Sequence, residues 1–301
     1  MTNSRFQIHE GPPPPGFIKV FDEPVYYCNE YRDIQEYPTV RSIYLLDFEE
    51  KLIVGKVLFA VDESGTATSL SRAPFGSFCH ADELDQEVLH WWITSVLTEG
   101  MSIRHPATFY NGFCSLQGTW KGQRTEELNH HIDLSDYHLG KLHNMQMRRI
   151  RKCRNTGFDL VEVKGEEDLL NTYEFIEKCR EAQGLIINIS AAKFIKSFSL
   201  LPSHYRAFKI INPQGETAAA TIVIKVQEKI AYNYLPASSK AYHSYSPMAF
   251  LLFRVALLYK LEGYQVLDLG ITSIDGAEQA SLARFKERMG AIRSPKFTYQ
   301  F

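Results

Sequence analysis

The chain has 301 residues, 45% hydrophobic and 23% charged, which is the composition of a globular protein long enough for two domains. Its formal net charge of −2 gives no overall attraction to nucleic acid or to an anionic membrane, so a polyanion would need a local basic patch. Five scattered cysteines without a C-x-x-C pair, and an N-terminus without an apolar signal region, favour an unexported cytoplasmic protein with reduced thiols and no membrane insertion.

The first half of the chain predicts a small, mostly antiparallel sheet. After a proline-rich lead-in at 11–16, strand-like runs occur at 17–28, 42–48, 51–61 and 66–75. From 82 to 101 the apolar side chains recur at helical spacing. Short strands are expected at 102–105 and 130–135, with an irregular stretch between them.

The second half predicts a longer and more regular series of elements. A basic helix at 136–155 is followed by a strand at 158–163, helices at 166–183 and 190–200, strands at 205–211, 217–226 and 229–237, a helix at 246–263, a strand at 264–269, a helix at 277–290 and a strand at 294–301. After the basic helix, the order is therefore β, α, α, β, β, β, α, β, α, β. The first half repeats the middle of this order, with three strands, a helix and a strand.

Three short motifs accompany this element order. They are M-R-R-I-R-K at 147–152, D-L-G at 268–270 and L-A-R-F-K-E-R-M-G-A at 282–291. Over residues 40–301, the order and the motifs together resemble the Fem-type (FemAB-like) branch of the GNAT acyl-CoA N-acyltransferase superfamily.

The resemblance implies an α/β fold of tandem GNAT-like domains, each a mostly antiparallel mixed sheet flanked by helices. A truncated domain at 1–135 and a complete one at 136–301 would be joined by the basic helix. The implied activity is transfer of an acyl group from acyl-CoA (acetyl-CoA), or of an aminoacyl group from aminoacyl-tRNA, to an amine. In the best-known relatives the acceptor is a peptidoglycan precursor. The chain lacks the long heptad-bearing insertion of several cell-wall relatives, which weakens the tRNA reading.

A donor site is expected in the second domain. In a GNAT unit the fourth and fifth strands splay apart, and the donor's phosphates lie over the start of the next helix, where free N–H groups attract anions. The corresponding stretch in the second half contains no acid and supplies the candidate donor-binding residues Lys240, His243, Ser244, Tyr245 and Ser246. Ser246-Pro247 is typical of an N-cap followed by proline at the first helical position, and an ordinary helix start is the alternative.

In the first half, by contrast, acids crowd the start of the equivalent helix. They are Asp82, Glu83, Asp85 and Glu87. A donor's phosphates would be repelled there, which favours the second half as the donor site.

Asp268 and Gly270 end a buried strand beside the expected splay. A carboxylate there would accept a proton from the incoming amine, and the glycine would let the chain turn next to substrate. Alternatively, Asp268 bonds loop N–H groups and only shapes the turn.

Lys286 lies on the last predicted helix, whose inward positions are expected to be Ala280, Leu282, Phe285 and Met289. Its ammonium is placed to stabilise a developing oxyanion or to hold a donor phosphate. A surface lysine extended over the core is the alternative.

Tyr232 and Tyr234 are expected on one face of the fourth strand of the second unit, as candidate proton donors or as packing residues. The basic helix would bind RNA or coenzyme A phosphates, or else be a solvated surface, through Lys141, His143, Arg148, Arg149, Arg151, Lys152 and Arg154. His130 and His131 point to opposite sides of a strand, so no metal site is expected. A non-catalytic binding module that retains the fold is the alternative function.

Overall fold

The structure, a computed structural model, describes residues 5–116, 122–274 and 277–301. Its contacts divide the chain into two compact units. Unit 1 comprises Met1–Glu127 and Pro295–Phe301, and unit 2 comprises Leu128–Ser294.

Unit 1 is built on a mixed sheet whose main path is β1-β3-β4-β5-β7-β18-β8. Its elements are β1 (Phe6–Glu10), β2 (Ile18–Lys19), α1 (Asn29–Gln35), β3 (Val40–Asp47), β4 (Leu52–Val61), β5 (Ala67–Thr68), β6 (Cys79–His80), α2 (Gln86–Val96), β7 (Ser102–His105), β8 (Gln123–Glu127) and β18 (Lys296–Gln300). All neighbours on this path are antiparallel except β5 and β7. Trp92 of α2 packs on the sheet over Gly55, where a Cβ would lie only 2.7 Å from its ring.

Several parts of unit 1 differ from the sequence prediction. Strand β1 was not predicted, and of the predicted strand at 66–75 only Ala67–Thr68 forms a strand. The helix predicted at 82–101 spans Gln86–Val96. Of the predicted strand at 17–28, only Ile18–Lys19 forms a strand, and a short 3-10 turn and the unpredicted helix α1 follow it. Apolar and aromatic side chains are common in strands and in short helices, so the sequence pattern alone did not distinguish the two. The stretch expected to be irregular includes β8, whereas 117–121 within it lie outside the described residues.

Unit 2 contains a seven-stranded sheet in the order β10-β11-β12-β13-β14-β9-β17. Its elements are β9 (Asn129–Asp133), α3 (Asn144–Asn155), β10 (Asp159–Glu162), α4 (Glu166–Glu181), α5 (Ala191–Leu200), β11 (Tyr205–Ile211), β12 (Thr217–Gln227), β13 (Ile230–Ser238), α6 (Pro247–Leu261), β14 (Val266–Ile271), β15 (Ser273–Ile274), β16 (Ala277–Glu278), α7 (Ala280–Arg288) and β17 (Ile292–Arg293). Among the described strands of this sheet, only β13 and β14 pair in parallel. The predicted fold class, with two mostly antiparallel mixed sheets flanked by helices, is confirmed.

The two faces of the unit 2 sheet carry different side chains because residues alternate along a strand. Ala231, Leu267 and Leu269 point into the apolar core formed with α6. Tyr232 and Asp268, which are register partners, therefore point to the other face. This second face is the one beside α4, because Arg180 of that helix lies within electrostatic range of Tyr232.

The two units meet in the sequence between Glu127 and Leu128, and not between 135 and 136 as expected. Strand β9 pairs with β14 and β17 in unit 2, and the C-terminal strand β18 pairs with β7 and β8 in unit 1. The unit 2 sheet thus takes its last strands from before the basic helix and from the short β17. Local sequence predicts a strand but not its partner, because pairing depends on distant residues.

Candidate functional site

Strands β13 and β14 diverge as the resemblance implied. They pair only between Ile230–Tyr232 and Val266–Asp268, after which β13 continues along β12 and β14 along β9. A bulge accompanies the divergence, because Leu235 and Pro236 have no register partner on β12 and Leu235 has φ 52°. The parting strands leave a gap in the sheet of unit 2.

A cavity of 430 Å³ lies at this gap. Its lining residues come from the two strands and from α3, α6, α7 and the segment after α4, and they are Arg149, Gln183, Asn233, Pro236, Ala237, Ser238, His243, Ser246, Pro247, Met248, Ala249, Leu252, Leu269, Leu282, Phe285 and Lys286. The charged or titratable members are Arg149, His243 and Lys286, and there is no carboxylate among these described lining residues. The cavity therefore suits a ligand with an apolar part and a negative part.

The start of α6 forms one wall of the cavity. Pro247 occupies the first helical position as predicted, but the Ser246 side chain makes no capping hydrogen bond. Ser246 has φ 58° and ψ 51°, whereas a capping side chain needs an extended backbone to reach the next N–H groups. The Met248 N–H has no hydrogen-bond partner among the described residues, so this donor is available to an anion.

Arg149 adds a positive charge to the same cavity from α3. Its guanidinium is exposed, and no carboxylate of the described chain pairs with it. The structure thus brings one residue of the predicted basic helix to the predicted helix start. Lys152 of the same helix instead donates to the Ser244 carbonyl at 2.9 Å, and its ammonium lies over the Tyr245 ring.

The other candidate donor-binding residues are distributed around the cavity. His243 and Ser246 line it, whereas Lys240, Ser244 and Tyr245 lie outside the lining in the described part of the chain. Lys240 donates to the Ala182 carbonyl at 3.1 Å. Tyr245 packs its ring on Phe158, and Ser244 is exposed.

Lys286 is buried, with 7% of its surface exposed, so it is not the surface lysine of the alternative reading. Its Nζ donates to the Gly270 carbonyl at 2.8 Å and to the Ile271 carbonyl at 3.0 Å, and the side chain also lines the cavity. Helix α7 begins at Ala280 rather than at 277, because Ala277–Glu278 form a strand. Ala280 and Leu282 are exposed rather than inward, and Ala283 takes the buried position.

Asp268 is fully buried at the end of β14. Its Oδ1 accepts from the Gly270 N–H and from the Asn129 amide, both at 2.9 Å. The contact to Gly270 is the turn-forming bond of the alternative reading. Gly270 has φ +74°, and a Cβ there would lie 3.2 Å from the Tyr232 hydroxyl, so glycine permits both the turn and the close approach of the tyrosine.

Tyr232 and Tyr234 form a pair on the face beside α4, with ring centroids 5.9 Å apart. Burial, aided by the charge of Asp268, raises the pKa of Tyr232 well above its usual range, so this phenol is protonated at neutral pH. It is a hydrogen-bond donor and not a base. Burial also raises the pKa of Tyr234, against the opposing effect of Arg180.

Sequence reasoning missed three residues around these side chains. Asn129 bonds Asp268, Gln183 lines the cavity, and Arg180 faces the tyrosine pair. In the sequence all three are ordinary polar residues, and only the tertiary contacts bring them to this site.

Two further observations concern the histidine pair at 130–131 and the start of helix α2. Burial lowers the pKa of both His130 and His131, and no group of three or more metal-ligating side chains occurs in residues 5–116, 122–274 and 277–301. In unit 1 the Asp85 carboxylate caps α2 by accepting from the Glu87 N–H at 2.7 Å. The positive end of that helix is thus already occupied, as the sequence indicated.

Solved structures share this fold at low sequence identity. FemX matches with a TM-score of 0.64 and 11% identity over 93% of this chain and 93% of that chain. The C-terminal domain of a putative lysylphosphatidylglycerol synthetase from Agrobacterium fabrum matches at 0.55, with 13% identity over 81% and 80% of the two chains. L-PGS from Bacillus licheniformis matches at 0.54, with 12% identity over 82% and 81%. The predicted FemAB-like fold is therefore confirmed.

Two further comparisons are negative. No protein-family model and no curated protein matches the chain. Among the described helices, none has the length and apolar character needed to cross a membrane.

Proposed function

We propose that this protein is an N-acyltransferase that binds an anionic acyl donor in the unit 2 cavity and transfers the acyl group to an amine. The observation that carries the proposal is the cavity in the gap between β13 and β14. Its lining is mostly apolar and includes the start of α6 and Arg149, with no carboxylate among the described lining residues. A donor that combines phosphates with an apolar part matches this lining.

The lining supports acyl-CoA, such as acetyl-CoA, as the donor. Arg149, His243 and the Met248 N–H would hold phosphates, while Leu269 and Phe285 would contact the apolar part. When bound, the thioester supplies the activated carbonyl. Aminoacyl-tRNA is the other donor that the resemblance implies, with the remaining basic residues of α3 available for RNA phosphates.

The reaction needs a neutral amine beside the donor carbonyl. The nitrogen lone pair attacks the carbonyl carbon, an N–C bond forms and the C–S bond of a thioester, or the C–O bond of an ester, breaks. The amine loses one proton and the leaving group gains one. We assign proton acceptance to Asp268, oxyanion stabilisation to Lys286 and proton donation to Tyr232, which Tyr234 supports by packing.

A non-catalytic binding module is the second candidate, and one observation favours it. Asp268 is fully buried, and its Oδ1 already accepts two hydrogen bonds. A protein that had kept the fold but lost catalysis would still need this turn.

Calorimetric titration with CoA, acetyl-CoA, a long-chain acyl-CoA and an aminoacyl-tRNA tests donor binding. Arg149→Gln should weaken donor binding about tenfold, the effect of one lost charge-assisted hydrogen bond. Arg284→Gln is the control, because Arg284 is exposed and bonds only its own helix at Ala280. Absence of binding by every donor contradicts the proposal, and binding without turnover on any amine selects the binding module.

A further inference from the structure

Arg180 near the end of α4 carries a positive charge that no acid of the described chain neutralises. Its Nε is buried and has no hydrogen-bond partner. Its charge interacts with the phenols of Tyr234 and Tyr232, and no carboxylate contributes. Burial lowers the pKa of Arg180, which shows the cost of holding a cation at this place.

A partly buried guanidinium usually has a carboxylate or phosphate partner, because desolvation without compensation is unfavourable. Its fork of N–H groups matches a carboxylate with two parallel hydrogen bonds. Arg180, Tyr232 and Tyr234 are each only partly exposed, so a ligand can reach them without unfolding the unit. The missing partner of Arg180 is therefore expected to come from a ligand.

The neighbours of Arg180 indicate which ligand this is. Tyr232 lies within electrostatic range of Arg180 and of Asp268, while Asp268 makes no contribution at Arg180. Tyr232 is the register partner of Asp268, and its hydroxyl would lie 3.2 Å from a Cβ at Gly270. The cation of Arg180 and the carboxylate of Asp268 are thus both near this phenol, on the sheet face opposite the apolar core. A molecule that carries both an amine and an acid complements these two charges.

We propose that the acceptor is an amine that also carries a carboxylate, such as an amino acid or a short peptide, and that Arg180 binds this carboxylate. The proposal rests on the proposed function, because it assigns the acceptor side of the same site. Arg180 is thereby a specificity-determining residue, and the amine lies toward Tyr232 and Asp268.

Direct binding of matched probes tests the inference without turnover. Calorimetric titration compares 4-aminobutyrate with butylamine and 6-aminohexanoate with hexylamine, which differ in the carboxylate. Wild-type protein should bind the acids about 10- to 100-fold more tightly, the effect of a charge-assisted pair. Arg180→Gln should remove this preference, and Arg180→Lys should retain part of it.

Lys178→Gln is the matched control, because Lys178 is an exposed cation on the same helix and none of the ion pairs of the described residues includes it. Circular dichroism and thermal melting establish that each variant folds. Equal binding of acids and amines by the wild-type protein would overturn the inference, as would a preference that survives in Arg180→Gln. Loss of CoA binding in that variant, with the carboxylate preference intact, would also overturn it by assigning Arg180 to the donor. Donor binding that fails while the carboxylate preference holds would refute the proposed transferase alone.

Discussion

Asp268 can form a turn or accept a proton, and one substitution separates the two roles. Asp268→Asn keeps an oxygen for the Gly270 N–H and the Asn129 amide, so unfolding free energy should fall by less than about 2 kcal/mol. If Asp268 is the base, turnover should fall about 10²- to 10⁴-fold. Denaturant unfolding and initial rates measure the two effects.

Asp133 supplies the control for this substitution. Its Oδ1 also accepts from the backbone N–H two residues later, at Ser135, but Asp133 is exposed. Asp133→Asn should leave turnover unchanged. If Asp268→Asn retains full turnover, Asp268 only shapes the turn.

Gly270 offers a second test at the residue scale. Gly270→Ala adds a Cβ 3.2 Å from the Tyr232 ring and hydroxyl, at φ +74°. Gly263→Ala, at φ +88° with nothing within 4 Å of the added atom, introduces the backbone strain alone. We expect about 1–2 kcal/mol of destabilisation for Gly263→Ala and more for Gly270→Ala, together with reduced turnover as Tyr232 moves. Equal stability and turnover in the two variants would show that the Tyr232 contact is unimportant.

The sequence predicted individual residues unevenly. Lys286 and Asp268 were selected as candidates because they belong to recognisable motifs, and their catalytic roles stay predictions. Neither motif predicts that Lys286 bonds the carbonyls of Gly270 and Ile271. Arg180 has no such signal. A polar residue on an amphipathic helix is normally solvent-exposed, and the role proposed for Arg180 depends on its position near Tyr232 and Tyr234.

At the scale of the element, the start of α6 is the feature on which the proposed donor binding depends most. Met248→Glu would place a carboxylate in the first turn, reproducing the arrangement that Asp85 and Glu87 give α2. The new carboxylate should stabilise the helix slightly, raising the free energy of unfolding by about 0.3–1 kcal/mol. Donor affinity should fall at least tenfold, because the new charge repels phosphates.

Met248→Gln is the matched control, with nearly the same shape and no charge. It should bind CoA within about threefold of the wild-type affinity, a difference of roughly 0.6 kcal/mol. Titration at low and high salt should show a smaller penalty for Met248→Glu at high salt, because the repulsion is screened. A penalty shared equally by both variants would indicate that side-chain volume, and not charge, limits binding.

Most elements of unit 2 were predictable because their periodicity is strong. The strand at 205–211 matches Tyr205–Ile211 at both ends, and the strand predicted at 217–226 extends one residue further. Helix boundaries were less predictable. The start of α7 was predicted three residues early, because Ala277 and Glu278 have good helical propensity yet pair with β15.

At the scale of the whole molecule, the sequence did not predict which sheet each terminal strand joins. Strand β18 has an ordinary alternating pattern, and its neighbours β7 and β8 lie far from it along the chain. The same is true of β9, which pairs with β14. Such pairings depend on side-chain packing across the complete sheet. A local pattern therefore predicts that a strand forms but not which strands it pairs with.

The pairing of β18 predicts that a core substitution in this strand destabilises unit 1 and not unit 2. Tyr299 is buried in the core of unit 1, with 2% of its surface exposed, although it lies within the predicted second domain. Tyr299→Ala should destabilise unit 1 by about 3–5 kcal/mol, as other large-to-small core substitutions do. Tyr259→Ala makes the same change in the core of unit 2, where Tyr259 is 1% exposed.

Hydrogen exchange with peptide-level resolution measures where protection is lost. Tyr299→Ala should raise exchange in β7 and β8, while Tyr259→Ala should raise it in β11 and α6. All described lining residues of the proposed donor cavity belong to unit 2. Added CoA should therefore restore protection in α6 of Tyr259→Ala but should leave the fast exchange in β7 of Tyr299→Ala unchanged. Faster exchange in β14 than in β7 for Tyr299→Ala would contradict the strand assignment, since β18 would then support the unit 2 sheet.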